Sequence, residues 1–425
     1  MKTPYILLLG CFDTKGEVFA HLRECLLNHG EQVVTLNTGT MGTTAAFPVD
    51  IEADAVAEAA GTALAALRHK RDRGQAVDLM GRGAALLVAQ LVAEGGLKAA
   101  ISMGGGGGTY MALSAMQGIP LGVPKLCLST LAAKDLSRQM GHKDITLMSS
   151  VVDVAGLNSI IKPIIEQAAA AICAMANVAT SQKKVVSGSI ALSMFGNTTA
   201  CADQCTALLT ARGYEVLAFH ANGVGGMTLE ALIREHCFDA VLDLTTTELA
   251  DELCGGVCNA GPDRLTAATE LGIPQVVAPG CLDMVNFWHP DTVPQQYQNR
   301  QLYSWAPNVT LMRTNEEENK ILGKELAQKL HGANATIVLP LKGISQIDAE
   351  GDIFYNPGVN QVLFDSIKEN TDPTLKIREV NAHINDLKFA EVLVVELLRL
   401  LGGEAQRGIG TEAQRGKYRS TEVQE

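Results

Sequence analysis

Aromatic side chains are scarce in this chain of 425 residues, at 4% of the total. A β-sandwich leans on large rings to fill its core. Here Gly, Ala, Val and Leu abound instead, a balance suited to closely packed α/β layers. Basic residues are outnumbered, 34 against 46, which leaves a net charge of −12. That sign argues against general nucleic-acid binding, although a local basic cleft could still hold phosphates. Apolar runs are short. None reaches 18 residues, so no membrane span is expected. Residues 7–11, Leu-Leu-Leu-Gly-Cys, superficially resemble a lipoprotein cleavage site. The apolar run 5–9 is too short for a signal core, and only Lys2 supplies positive charge before it, so a first core strand is expected.

Paired cysteines are lacking too. Ten are scattered as singles, and the two pairs at four-residue spacing, Cys201/Cys205 and Cys254/Cys258, have no partners at zinc-ribbon distance. Reduced thiols in a cytoplasmic protein are the expectation. Neither HExxH nor GxSxG occurs, which removes support for a metalloprotease or a hydrolase elbow. With 47% hydrophobic residues the chain nevertheless has ample material for two or three packed domains.

What the chain does have is a run of five glycines, Gly104, Gly105, Gly106, Gly107 and Gly108, closed by Thr109. An apolar stretch, 97–102, precedes it and reads as a buried strand. Residues 110–116 follow and read as a helix opening. Glycines expose bare N–H groups, and a helix N-terminus adds unpaired donors with a partial positive charge. The placement favours a phosphate cradle over a flexible surface loop. It matches neither the lysine-containing P-loop nor a clean GxGxxG.

The surrounding sequence alternates strand and helix. Residues 5–9 and 32–36 read as strands about a helix at 18–28, one βαβ unit. Ligands gather beyond the carboxyl ends of such strands. Asp13, Thr14 and Lys15 lie at the first end, Thr38 and Gly39 at the second. Lys15 could neutralise a phosphate, Thr14 could donate to one, and Asp13 could hold a ribose hydroxyl or a metal-bound water. Helix capping is the plainer role for Asp13 or Thr14. Residues 51–73 read as one long helix with a solvated basic end at 68–73. Arg82 and Gly83 stand before a helix at 84–94, where the arginine could reach a phosphate or simply be solvated. Strands at 123–128 and 145–148 and a helix at 158–177 complete one doubly wound domain, residues 1–179.

A polar joint at 178–184 is followed by a second alternating pattern, residues 185–402. Its apolar runs again end in polar, glycine-containing loops. His220, Glu248, Asp283 and His383 lie on that rim as candidate catalytic residues, the histidines as acid–base groups and the carboxylates for acid–base or metal roles. Cys281 is a possible nucleophile, but a buried small residue is the commoner case. Residues 290–307 concentrate aromatics without periodicity and suit a lid, an oligomer contact or an irregular packed loop. The tail, 403–425, is polar and is expected to be disordered. The fold class is therefore α/β, with two doubly wound, Rossmann-like domains on mostly parallel sheets.

Three segments in order, 10–15 (Gly-Cys-Phe-Asp-Thr-Lys), 104–109 and 279–287, resemble the Tm-1-like ATP-binding family. This is the bacterial and fungal group related to the N-terminal region of the tomato mosaic virus resistance protein. The resemblance covers about residues 1–402. It implies two α/β subdomains, ATP bound in the first, and a homodimer. Carried onto this chain, it puts the nucleotide against residues 13–15, 38–39, 82–83 and 104–109. The expectation is an ATP-binding, small-molecule metabolic enzyme, with Mg²⁺ as a possible companion, an undetermined metal site and an unknown substrate between the domains. The alternative is a non-catalytic, ATP-stabilised dimeric binding module. Neither reading calls for nucleic acid or a membrane.

Overall fold

The computed structural model describes residues 3–178 and 186–402. The expected tail lies outside them, as does most of the expected joint. The chain divides into two compact units between residues 183 and 184.

The first unit runs β1 (Tyr5–Gly10), α1 (Phe12–Asn28), β2 (Val33–Asn37), α2 (Ala53–Ala59), α3 (Leu64–Lys70), α4 (Arg73–Glu94), β3 (Leu97–Gly104), α5 (Gly106–Met116), β4 (Lys125–Ser129), α6 (Ser137–Met140), β5 (Ile145–Ser149) and α7 (Ile161–Ala176). Its five strands are parallel, in the order β2-β1-β3-β4-β5. One apolar cluster packs α2–α5 on one face through Leu7, Leu9, Val56, Met80, Ala84 and Leu113. Another packs α1 and α7 on the other through Ile6, Leu8, Phe19, Leu22 and Ile165. Covering both faces explains why β1 is apolar at every position.

The helices of residues 51–94 differ from the sequence reading. Gly61, at φ 74°, and Arg71, at φ 53°, break the expected long helix into α2, α3 and the start of α4. Gly81, Arg82 and Gly83 therefore sit inside α4 rather than before a helix. The glycines serve packing: a Cβ at Gly83 would lie 2.0 Å from the Val56 carbonyl oxygen, and one at Gly81 would lie 3.0 Å from the Ser114 side chain. Among the described residues α4 is also the one helix long and apolar enough to cross a membrane by length and composition. Here its Met80, Ala84 and Val88 are core residues against α2 and α5.

The second unit runs β6 (Ser189–Met194), α8 (Thr199–Thr210), β7 (Glu215–His220), α9 (Val224–Arg234), β8 (Ala240–Thr245), α10 (Thr247–Cys254), α11 (Ala267–Leu271), β9 (Gln275–Gly280), β10 (Met284–Phe287), β11 (Leu302–Ala306), β12 (Val309–Arg313), α12 (Glu316–Lys329), β13 (Ala335–Pro340), α13 (Pro357–Asn370), β14 (Lys376–Val380) and α14 (Leu387–Leu400). Six parallel strands form the sheet β14-β13-β9-β8-β6-β7. The aromatic stretch forms part of a further element. Strand β11 joins β10 and β12 in a three-stranded antiparallel sheet. The protein is thus α/β, with two Rossmann-like parallel sheets flanked by helices.

Candidate functional site

In the order β2-β1-β3-β4-β5 the chain reverses its winding between β1 and β3, and a crevice opens beyond the carboxyl ends of those two strands. A cleft of about 880 Å³ lies there. Asp13, Thr14, Lys15, Thr38, Gly39 and four glycines of the run, Gly105 to Gly108, line it.

Asn37 joins the first two loops: its Oδ1 accepts from Phe12 N at 3.2 Å and from Gly39 N at 2.9 Å. Asp13 Oδ2 accepts from Met41 N at 2.8 Å, while Oδ1 is buried without a partner among the described residues. A Cβ at residue 39 would lie 2.2 Å from Asp13 Oδ1, so any side chain there would displace the Asp13 carboxylate. The Lys15 ammonium donates to the Val154 carbonyl, so it ties the cleft wall together as well as bringing charge.

The glycine run is less a loop than a junction. Gly104 ends β3, Gly105 is the N-cap of α5, and Gly106 to Gly108 form its first turn. Their N–H groups have no hydrogen-bond acceptor among the described residues. That is the usual condition of a helix start, and here it faces the cleft. Thr109 does not face the cleft. It is buried, with its hydroxyl 2.6 Å from Ser129 Oγ and 3.2 Å from the Gly104 carbonyl oxygen, and it locks the helix to the strand ends.

Arg82 and Gly83 are not brought to the cleft. Arg82 is exposed and pairs with Asp78 at 3.0 Å, one turn back on α4. In their place the cleft holds Arg68, Arg71 and Arg73, from the basic run read as a solvated face. Arg68 is held by the Thr40 carbonyl. Arg71 and Arg73 make no ion pair or hydrogen bond among the described residues. Asp72, between them, caps α4 by accepting from Gln75 N at 3.0 Å. One Nη of Arg73 lies 4.0 Å from where a Cβ of Gly107 would be, directly beside the open N–H groups. The sequence signal was available: Asp72 three residues before Gln75 is an N-cap, which would have started a helix at Arg73.

The second-unit candidates do not form one constellation. Glu248 is buried. It accepts from Arg264 Nε at 2.6 Å, Gly223 N at 2.7 Å and Gly226 N at 3.1 Å. Burial pushes its carboxyl up from the ordinary value, and Arg264 opposes that rise. Arg264, fully buried, also grips Asp243 with both terminal nitrogens at 2.5 and 2.6 Å. Asp283 is buried as well. Its Oδ2 accepts from Ser345 Oγ at 2.7 Å, its Oδ1 has no partner among the described residues, and burial and Asp348 raise its titration. His383 reaches the same serine, donating from Nε2 to the Ser345 carbonyl oxygen at 2.9 Å. Its Nδ1 accepts from Asn385 N at 3.1 Å, which fixes a neutral tautomer with both nitrogens engaged. His220 is exposed at the end of edge strand β7, 5.3 Å from the Phe195 ring. Cys281 has φ 60° but is fully buried, and burial drives its thiol well above the ordinary value, the condition of an inert core cysteine. Among the described residues no three His, Cys, Asp or Glu side chains are grouped to hold a metal.

Two family models match the chain. One describes the N-terminal domain of an uncharacterised protein family, UPF0261, over residues 4–181; the other describes its C-terminal domain, over residues 187–401. The chain belongs to the UPF0261 family. A UPF0261 protein of Clostridium tetani is 42% identical over 93% of this chain and 98% of its own length. One from Rhizobium meliloti is 39% identical over the same shares. The ToMV resistance protein Tm-1(GCR237) of Solanum lycopersicum is 36% identical over 77% of this chain. The chain spans 45% of that tomato protein's length. The resemblance read from the three segments thus holds for the family and its tomato relatives. The cleft described above lies wholly within the N-terminal UPF0261 domain.

Proposed function

We propose that the first-unit cleft binds ATP, with the phosphates on the N–H groups of Gly106 to Gly108. The observation that carries this reading is the meeting of three open helix-start donors with two unpaired guanidiniums, Arg71 and Arg73, in one cleft. Its lining has four cations and three carboxylates within a chain of net charge −12. Its volume is in the range of small-molecule sites, roughly 300–1,000 Å³. Leu67, Ala76 and Val77 offer an apolar wall for a base. Mg²⁺ bound to a triphosphate needs only one or two protein carboxylates. The unpartnered Oδ1 of Asp13 fits that need.

A small-molecule enzyme is the reading for the whole chain. The alternative is a binding module in which ATP stabilises the fold. It is favoured by one observation: Glu248 and His383 already spend their polar atoms on internal bonds. The family resemblance supports a homodimer, and ten unbridged cysteines support a cytoplasmic setting.

Titration calorimetry with MgATP tests the site. Arg73→Ala should weaken binding by at least about tenfold, as expected for loss of a charged hydrogen bond worth roughly 1.5–3 kcal/mol. Arg82→Ala, outside the cleft, should bind as the unsubstituted protein does. Equal loss in both variants, or no ATP binding at all, would sink the assignment.

A further inference from the structure

A second cavity adjoins the proposed ATP cleft. It measures about 300 Å³ and lies at the carboxyl ends of β4 and β5, lined by Thr130 and residues 149–153. Asp153 belongs to both cavities. Its Oδ1 and the Thr130 hydroxyl each lie 3.9 Å from where a Cβ of Gly105 would be, beside the start of α5. Neither side chain is bonded to another described residue.

The loop between them is built rather than loose. Val151, a β-branched residue, takes φ 63°, a conformation such residues rarely adopt. It is held there because Ser150 Oγ donates to the Val152 carbonyl oxygen at 2.7 Å and Ser150 N donates to the Ser129 carbonyl oxygen at 3.2 Å. Val151 N also donates to Ser149 Oγ at 3.3 Å, which leaves the Ser149 hydroxyl proton available. The Lys15 bond to Val154 anchors the far side. The free groups are thus two hydroxyl donors, on Thr130 and Ser149, and one carboxylate acceptor. Among the described residues no lysine, arginine, histidine or aromatic residue lines the cavity, so it suits neither a second phosphate nor a planar ring.

From this geometry, and resting on the ATP reading of the adjoining cleft, we infer that this cavity is the subsite of a small neutral polyol or sugar and that Asp153 receives the proton of its reacting hydroxyl. In that step the substrate oxygen bonds to the terminal phosphorus of ATP. The bond from that phosphorus to its bridging oxygen breaks, and ADP leaves with the electron pair. The substrate hydroxyl proton passes to the Asp153 carboxylate and from there to solvent, because Asp153 is exposed. The products are ADP and a phosphomonoester. Thr130 and Ser149 orient the substrate by donating to its other oxygens.

The test uses the full chain with MgATP and, one at a time, glycerol, erythritol, ribitol and glucose. ADP release is followed by a coupled assay and the phosphomonoester by phosphorus NMR, with ATP affinity measured separately by calorimetry. At least one polyol or sugar should stimulate ADP release and give a phosphomonoester. Asp153→Asn should then lower kcat by roughly 100-fold, within the range of a general base. Thr130→Val should raise KM for the polyol at least fivefold while changing kcat less. ATP that binds but is not turned over with any of the four overturns the subsite and leaves the nucleotide site standing. So does an Asp153→Asn variant as active as the unsubstituted protein. Failure of ATP to bind overturns both.

Discussion

Gly106→Ala should separate folding from binding. Gly106 is the first residue of α5, its φ is not in the left-handed region, and a Cβ built on it meets no atom within 4 Å. Gly104 differs, since its Cβ would come 3.0 Å from the Gly108 Cα. Alanine at a compatible glycine position stabilises by about 0.4–1 kcal/mol, chiefly by restricting the unfolded chain. At a helix's first residue the lower end applies. In a unit of this size that raises Tm by roughly 1–2 °C. The same methyl group enters the cleft at the N–H groups proposed to hold phosphate. Displacing the phosphates from one donor should cost at least about 1.4 kcal/mol, a tenfold loss of ATP affinity. Scanning fluorimetry without nucleotide and calorimetry with MgATP measure the two effects independently. Undiminished affinity would show that phosphates do not lie against Gly106. A lower Tm would refute the backbone argument itself.

Two further predictions concern the second unit. Arg264→Met should be severely destabilising, by about 3–5 kcal/mol, because it strands the buried carboxylates of Asp243, Glu248 and Glu230. A fall in Tm of less than about 5 °C in thermal unfolding would contradict that account. Asp283 titrates above its ordinary value of 3.8, through burial and then Asp348, so the folded state holds its proton more tightly than the unfolded state does. Its contribution is therefore fully present below pH 3.8 and is lost as pH rises from there through the folded value. The slope of that loss is about 1.4 kcal/mol for each tenfold fall in proton concentration. Asp283→Asn should flatten that decline, so the Tm difference between variant and parent should grow in the variant's favour from pH 4 to 8. A difference that stays constant with pH would refute the raised titration.

The order of strands and helices was legible because burial on both faces leaves continuous apolar runs, and each run ends where the backbone turns. Asp13, Thr38 and the glycines were legible for the same reason: a strand's carboxyl end is a place in sequence as well as in space. Arg71 and Arg73 were not. Their place in the cleft depends on a left-handed residue that breaks the helix, and a run of basic residues reads equally well as a solvated end. Arg82 and Gly83 misled in the opposite sense. A glycine is required there by the Val56 carbonyl of a neighbouring helix, and nothing local in the sequence says so. Glu248 could be read as far as its strand end, but its partner Arg264 lies 16 residues away and carries no motif.

The two parallel sheets share one winding rule, and this sharpens the contrast between their crevices. In the second sheet the reversal falls between β6 and β8, the counterpart of β1 and β3. There the available groups are spent within the protein. Thr198 and Thr245 bond through their hydroxyls at 2.8 Å, and Ser193 Oγ donates to Asp243 at 2.7 Å. The N–H groups of Gly223 and Gly226, at the start of α9, donate to the Glu248 carboxylate. A protein anion thus occupies a helix start of the kind that a ligand phosphate could use. At the start of α5 no side chain among the described residues plays that part, since residues 105–108 have none and Thr109 turns away into the core. The same architecture therefore closes one helix start with its own carboxylate and leaves the other open, and this asymmetry is why the nucleotide is assigned to the first unit.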